Sequence, residues 1–221
     1  MREHLSSVCR LALALLAGAA CLELAPARAD TVQDQTFTPT TINTSSQFST
    51  STTGTTLRRA QTLTVGVAGT LTQVDIQLTT PPTGFTAPVF TGFDILSTTN
   101  GVPNTGAAGI IGLGTLLSQT STQAIFTTSL AVTVGEVIGI EPITSNISPS
   151  WAGQNPGSYT RGADYFAPPN SAFLTSGAVN GFTTFVTTPS IIPLPAALPL
   201  FATGLAALGL LGWRRKRKTP A

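Results

Sequence analysis

Through the middle of this chain, apolar and polar residues alternate with a period of two, and a long unbroken apolar run closes it. In "TQVDIQL", Val74, Ile76 and Leu78 fall on one face; "TLTVGV" (62–67), "FDIL" (93–96) and "LAVTVGEVIGIEP", with Leu130, Val132 and Val134 aligned, repeat the pattern. Successive side chains of a strand point to opposite faces, so this alternation predicts half-buried strands. Turn-forming clusters separate the runs, as in "TTPPTG", "NGVPNTG" and the Gly135-Glu136 pair. Short strands at this spacing, with no helix-length apolar pattern between residues 57 and 193, predict an all-β fold, an antiparallel β-sandwich over 57–188. That length suffices to close one core.

Ahead of it, residues 30–56 are rich in Thr, Ser and Gln and show no clear period, as in "TTINTSSQFSTSTTGTT". This reads as a loose leader or an edge segment, with hydroxyls open to glycosylation.

The two ends have different patterns. Residues 1–29 combine a cationic start (Arg2, Arg10), an apolar stretch from Leu11 to Leu24 broken only by Glu23, and Ala27-Arg28-Ala29. This is the layout of a cleavable secretory signal helix with an A-x-A site, which places the mature N-terminus near Asp30. Ala25-Pro26-Ala27 is an alternative cut. "LAGAAC" resembles a lipobox ending at Cys21, but Gly18 stands where a branched apolar residue belongs.

Residues 189–221 form a tail. Leu194 to Trp213 is twenty residues without a charge, and about twenty helical residues span the roughly 30 Å hydrocarbon core of a bilayer. A single transmembrane helix over 194–213 is expected, with Trp213 at the headgroup boundary and the basic run 214–218 (Arg214, Arg215, Lys216, Arg217, Lys218) held in the cytoplasm. Pro193 and Pro195 keep "IPLP" extended just outside the bilayer, the geometry a protease cleft accepts.

Composition sharpens the picture. Charged residues are 9% of the chain, well below the roughly 25% of an average soluble domain. Between Asp30 and Ile192 only Arg58, Arg59 and Arg161 face seven carboxylates, and there is no Lys. A body without a basic stripe is not built for nucleic acid. His4, Cys9 and Cys21 all lie in the signal segment, so the processed protein has no imidazole or thiol. Cys/His metal sites and catalysis built on those groups are excluded from it, and no cofactor is expected.

The run "PLPAALPLFATGLAALGLLGWRRKRK" resembles the PEP-CTERM sorting domain of Gram-negative bacteria: a short proline motif, an apolar helix and an Arg-rich end. The resemblance covers about Ile192 to Lys218. It implies recognition by exosortase, a membrane-embedded protease or transpeptidase, at Pro193, Leu194 and Pro195, with Leu194 in place of the eponymous glutamate. It also implies an exopolysaccharide or biofilm setting. The localisation expected is export through the inner membrane, transient single-pass anchoring with the C-terminus cytoplasmic, and then the cell surface or the extracellular space. A permanent anchor is the alternative.

A looser resemblance covers most of 57–186. "AQTLTVGVAGTLTQVDIQL", "NGVPN", "LAVTVGEVIGIEP", "SWAGQNPGSYTRGADYF" and "FTTFV" are similar to a jelly-roll sandwich of secreted bacterial proteins, related in shape to carbohydrate-binding modules.

The five carboxylates Asp75, Asp94, Glu136, Glu141 and Asp164 show no spacing that unites a pair across a cleft, as glycoside hydrolysis needs. They read as solvated strand-face or turn residues, and the body as non-enzymatic. Between Ser148 and Asn170, Trp151, Tyr159 and Tyr165 lie among turn residues, where aromatic faces can stack on sugar rings. The alternative for Trp151 is core. The two functions in view are a surface or extracellular-matrix protein and a carbohydrate-binding or adhesive module with polysaccharide as partner.

Overall fold

The computed structural model describes residues 29–50, 56–189, 204, 205 and 208. The signal segment with Ala27, and the tail residues Pro193, Leu194, Pro195, Trp213 and 214–218, lie outside the described residues. Ala29 is exposed coil, and Gly204, Leu205 and Leu208 are helical. Among the described residues no helix is long and apolar enough to cross a membrane.

Residues Ala29–Pro189 form one compact unit. Its strands are β1 (Asp30–Phe37), β2 (Thr44–Gln47), β3 (Arg58–Thr64), β4 (Gly69–Gln77), β5 (Phe90–Thr99), β6 (Val102–Pro103), β7 (Ile110–Gln119), β8 (Gln123–Val132), β9 (Val137–Thr144), β10 (Pro149–Gln154), β11 (Asp164–Ala167), β12 (Leu174–Thr175), β13 (Val179–Asn180) and β14 (Phe182–Thr188). The larger sheet runs β1-β14-β4-β8-β7-β5-β9-β3-β11-β12, with β6 against β5; the smaller runs β13-β10-β2. Every strand pair is antiparallel. The architecture is all-β and sandwich-like.

The alternation places the core. Val74, Ile76 and Leu78 are buried together with Phe93, Ile95, Phe126, Ile138 and Ile140 from neighbouring strands. Trp151 of β10, Val179 of β13 and Phe48, just after β2, join the same cluster, so both sheets share one core. An aromatic chain threads it: Trp151 stacks on Phe48 at 5.6 Å, Phe48 meets Phe90 at 5.0 Å, Phe90 meets Phe126 at 5.1 Å, and Phe126 stacks on Phe93 at 4.9 Å. Such pairs add to the area term of burial.

Three boundaries differ from the sequence reading. The sandwich begins at Asp30 and not at 57, because the Thr-rich leader carries β1, an edge strand paired with β14, and β2 in the smaller sheet. Its periodicity is masked by threonines on the outward face, where Thr31 meets Thr187 and Thr36 meets Thr183, each at 2.9 Å between hydroxyls. Val134 does not continue the face of Leu130 and Val132; it is 65% exposed. The strand ends at Val132 because Gly135 turns the chain at φ +86°, and Glu136 closes the turn by accepting hydrogen bonds from the backbone and hydroxyl of Thr133. β3 starts at Arg58, four residues before the alternation is legible.

Candidate functional site

The three aromatic candidates do not form one platform. Trp151 is fully buried, its ring on Phe48 and its indole N–H donating to the Gly181 carbonyl at 3.0 Å. Of the two uses open to it, the structure gives it the core, where no ring face is left for a ligand. Tyr159 is half-buried against Phe37 and Phe182, and its hydroxyl donates to Gln35 Oε1 at 3.1 Å. Burial pushes that phenol up to about 12. Tyr165 belongs to a second cluster with Ala60, Leu96, Ala167 and Phe173.

Most of the carboxylates are not solvated. Asp75, Asp94, Glu141 and Asp164 are buried, a correction whose cause is pairing between strands far apart in sequence. Glu141 on β9 stands opposite Asp94 on β5. Arg58, itself buried, grips Glu141 through both Nε (2.9 Å) and Nη2, while Ser49 donates to Glu141 Oε1 at 2.7 Å. Phe173 covers the guanidinium at 5.1 Å. Burial pushes the Glu141 carboxyl up against the pull of Arg58 and Ser49. Asp94 is pushed up to about 6 by burial and by Glu141, with Arg58 opposing. Two carboxylates thus do face each other across the ladder, but buried and beside a guanidinium.

Asp164 serves a second polar knot. Arg59 Nη1 (2.5 Å) and Ser176 Oγ donate to its Oδ2, and Asn180 Nδ2 donates to its Oδ1 at 2.7 Å. Arg59 also donates to Ser46 Oγ at 2.9 Å, and Gln61 Oε1 accepts the Asn180 backbone N–H at 2.9 Å. Ser46 and Asn180 lie on strands of the smaller sheet, Arg59, Gln61 and Asp164 on the larger. The knot therefore bolts the two sheets together. Burial pushes Asp164 up to about 6 even against these partners. Gly162 permits the close approach of this segment to β3: a Cβ there would lie 1.9 Å from the Thr62 carbonyl oxygen.

Asp75 lines a groove of about 250 Å³ at one end of β4, β8 and β14. Gln77, Gln123 and Thr183 line it alongside Asp75, and the core residues Phe37 and Phe182 border it. Gln73 Nε2 donates to Asp75 Oδ1 at 2.8 Å, and Gln123 Nε2 to Oδ2 at 3.0 Å. Burial raises the Asp75 carboxyl and the Gln73 contact opposes it. Tyr159 packs against the rings of both phenylalanines but does not itself line the groove.

Gln73, Gln77 and Gln123 were not singled out by sequence. Their signal was present: in "TQVDIQL" the same period that buries Val74, Ile76 and Leu78 puts Gln73, Asp75 and Gln77 together on the other face. Among the described residues no three His, Cys, Asp or Glu side chains gather as a metal-ligand set. No protein-family model, no curated protein and no solved structure matches the chain.

Proposed function

We propose that this chain is an exported, non-enzymatic surface or extracellular-matrix protein: a jelly-roll-like sandwich delivered by a cleavable signal helix and a PEP-CTERM-like tail, whose transmembrane helix is processed by an exosortase-type enzyme. The observation that carries it is the pairing of the body's two ends. Asp30, the residue that follows the Ala27-Arg28-Ala29 site, is in register with Thr188, which precedes the Pro193-Leu194-Pro195 motif. Cuts at those sites would spare every strand pair among the described residues, so delivery and folding are separable by construction. The non-enzymatic side of the reading is supported by where the carboxylates go. Glu141 and Asp164 are committed to buried ion pairs and hydrogen bonds and Asp94 is buried opposite Glu141, whereas a hydrolase needs its two carboxylates facing a water-filled cleft.

The test is fractionation of cells that carry or lack the exosortase-type enzyme. With it, the body is expected at the surface or in the medium, shortened. Without it, the chain is expected in the inner membrane with its tail intact. Recovery of the intact chain from soluble cytoplasm would contradict the proposal.

A further inference from the structure

We propose that the groove over Asp75 is a binding subsite for a single hydroxyl-rich, uncharged ring, a saccharide residue, lined by none of the residues 148–170. Nothing in the delivery reading requires it, and its failure would leave that reading standing.

An ionised carboxylate has about four lone-pair directions. Two of Asp75's are taken by Gln73 and Gln123 amide N–H groups, one on each oxygen. This fixes the plane of the carboxylate and leaves one direction on each oxygen. Two side-chain carbonyls, on Gln77 and Gln123, add acceptors, and the Thr183 hydroxyl, paired with Thr36, adds a further lone pair. A wall so rich in acceptors calls for a ligand with several O–H donors. Phe37 and Phe182 border the groove, but their rings are buried in the core, so the polar wall carries the recognition.

Charge and size narrow the class. A cation is the competing donor-rich ligand, but two amide donors already directed at Asp75 oppose the field that would attract one, and a second carboxylate does not line the groove. The volume of about 250 Å³ holds about eight waters at roughly 30 Å³ each. It is below the roughly 300–1,000 Å³ of sites that enclose drug-sized ligands. One ring of a longer glycan fits this scale; a folded peptide does not.

The test uses the full chain in micelles of a non-glycosidic detergent. Saturation-transfer NMR is run with D-glucose, D-galactose, D-mannose and N-acetylglucosamine, and separately with putrescine and with calcium chloride as a competitor. At least one sugar should give a saturable signal. Asp75→Asn, which keeps the shape and removes the charged acceptor, and Thr183→Phe, which fills the groove from a half-buried position, should each weaken it about ten-fold or more. Thermal unfolding reports whether each variant folds; if Asp75→Asn does not, Thr183→Phe decides. Silence from all four sugars, a sugar signal equally strong in both variants, or displacement by putrescine or calcium in place of sugar binding would overturn the proposal.

Discussion

Asp94 and Glu141 occupy directly opposed positions on β5 and β9, and both are buried. Like charges facing across a ladder destabilise it. The chain tolerates the arrangement because Arg58 reaches Glu141 from β3 and because the Asp94 carboxyl is held up at about 6. Asp94 Oδ2 has no hydrogen-bond partner among the described residues.

This fixes a pH dependence. The native Asp94 carboxyl titrates near 6 against an ordinary value of 3.8, so between those values the folded state holds more protons than the unfolded one. Stability from this group is full below the unfolded value and is lost as pH rises through 6. Asp164, also near 6, acts in the same sense. Asp94→Asn should raise the Tm at pH 8, leave it little changed at pH 4, and flatten the profile between. Scanning calorimetry across pH 4–8 checks it, and a variant less stable than the parent at pH 8 would count against the account.

Arg58 offers a second test. Replacing it alone, as Arg58→Met, strands Glu141 without its counter-charge and should cost about 3–5 kcal/mol. The double variant Arg58→Met, Glu141→Leu should recover much of that loss, since two apolar groups need no partner. Urea denaturation of the four members of this cycle gives the coupling.

Trp151 is one of two tryptophans in the chain. In a Trp213→Phe background its emission should be blue-shifted and shielded from acrylamide until the sandwich unfolds. Trp151→Ala should cost about 3–5 kcal/mol through the cavity it leaves. Strong quenching in the native state would place the ring in solvent and contradict the core assignment.

Starting the chain at Thr38 removes β1. That strips β14 of one neighbour and removes Phe37 from the core. The truncated protein should lose Tm and expose a pairing edge prone to association. Sedimentation and thermal scans check this; an unchanged, monomeric body would mean that the leader is dispensable.

The strands were legible wherever one face was apolar and the other polar. Val74-Ile76-Leu78 is the clearest case, and its period predicted burial correctly. β1 was obscured because threonine suits either face, so "DTVQDQTF" shows its pattern only once β14 is alongside. The carboxylates were misread for a related reason. Arg58 is separated from Glu141 by 83 positions and Asp164 from Arg59 by 105, and only the topology brings such residues together. The sequence leaves two uses open for Trp151 because a turn-rich setting does not reveal which way a ring points. The groove was half visible: Asp75 and its flanking glutamines share a face by spacing alone, but Gln123 comes from β8 through the β4–β8 pairing.

The most direct measurement of the central claim is mass spectrometry of both terminal peptides of the protein recovered from cells that possess the exosortase-type enzyme. The account predicts a chain that begins at Asp30 and ends near the Pro193-Leu194-Pro195 motif, with the apolar and basic tail gone. A soluble cytoplasmic chain still running from Met1 to Ala221 would contradict it.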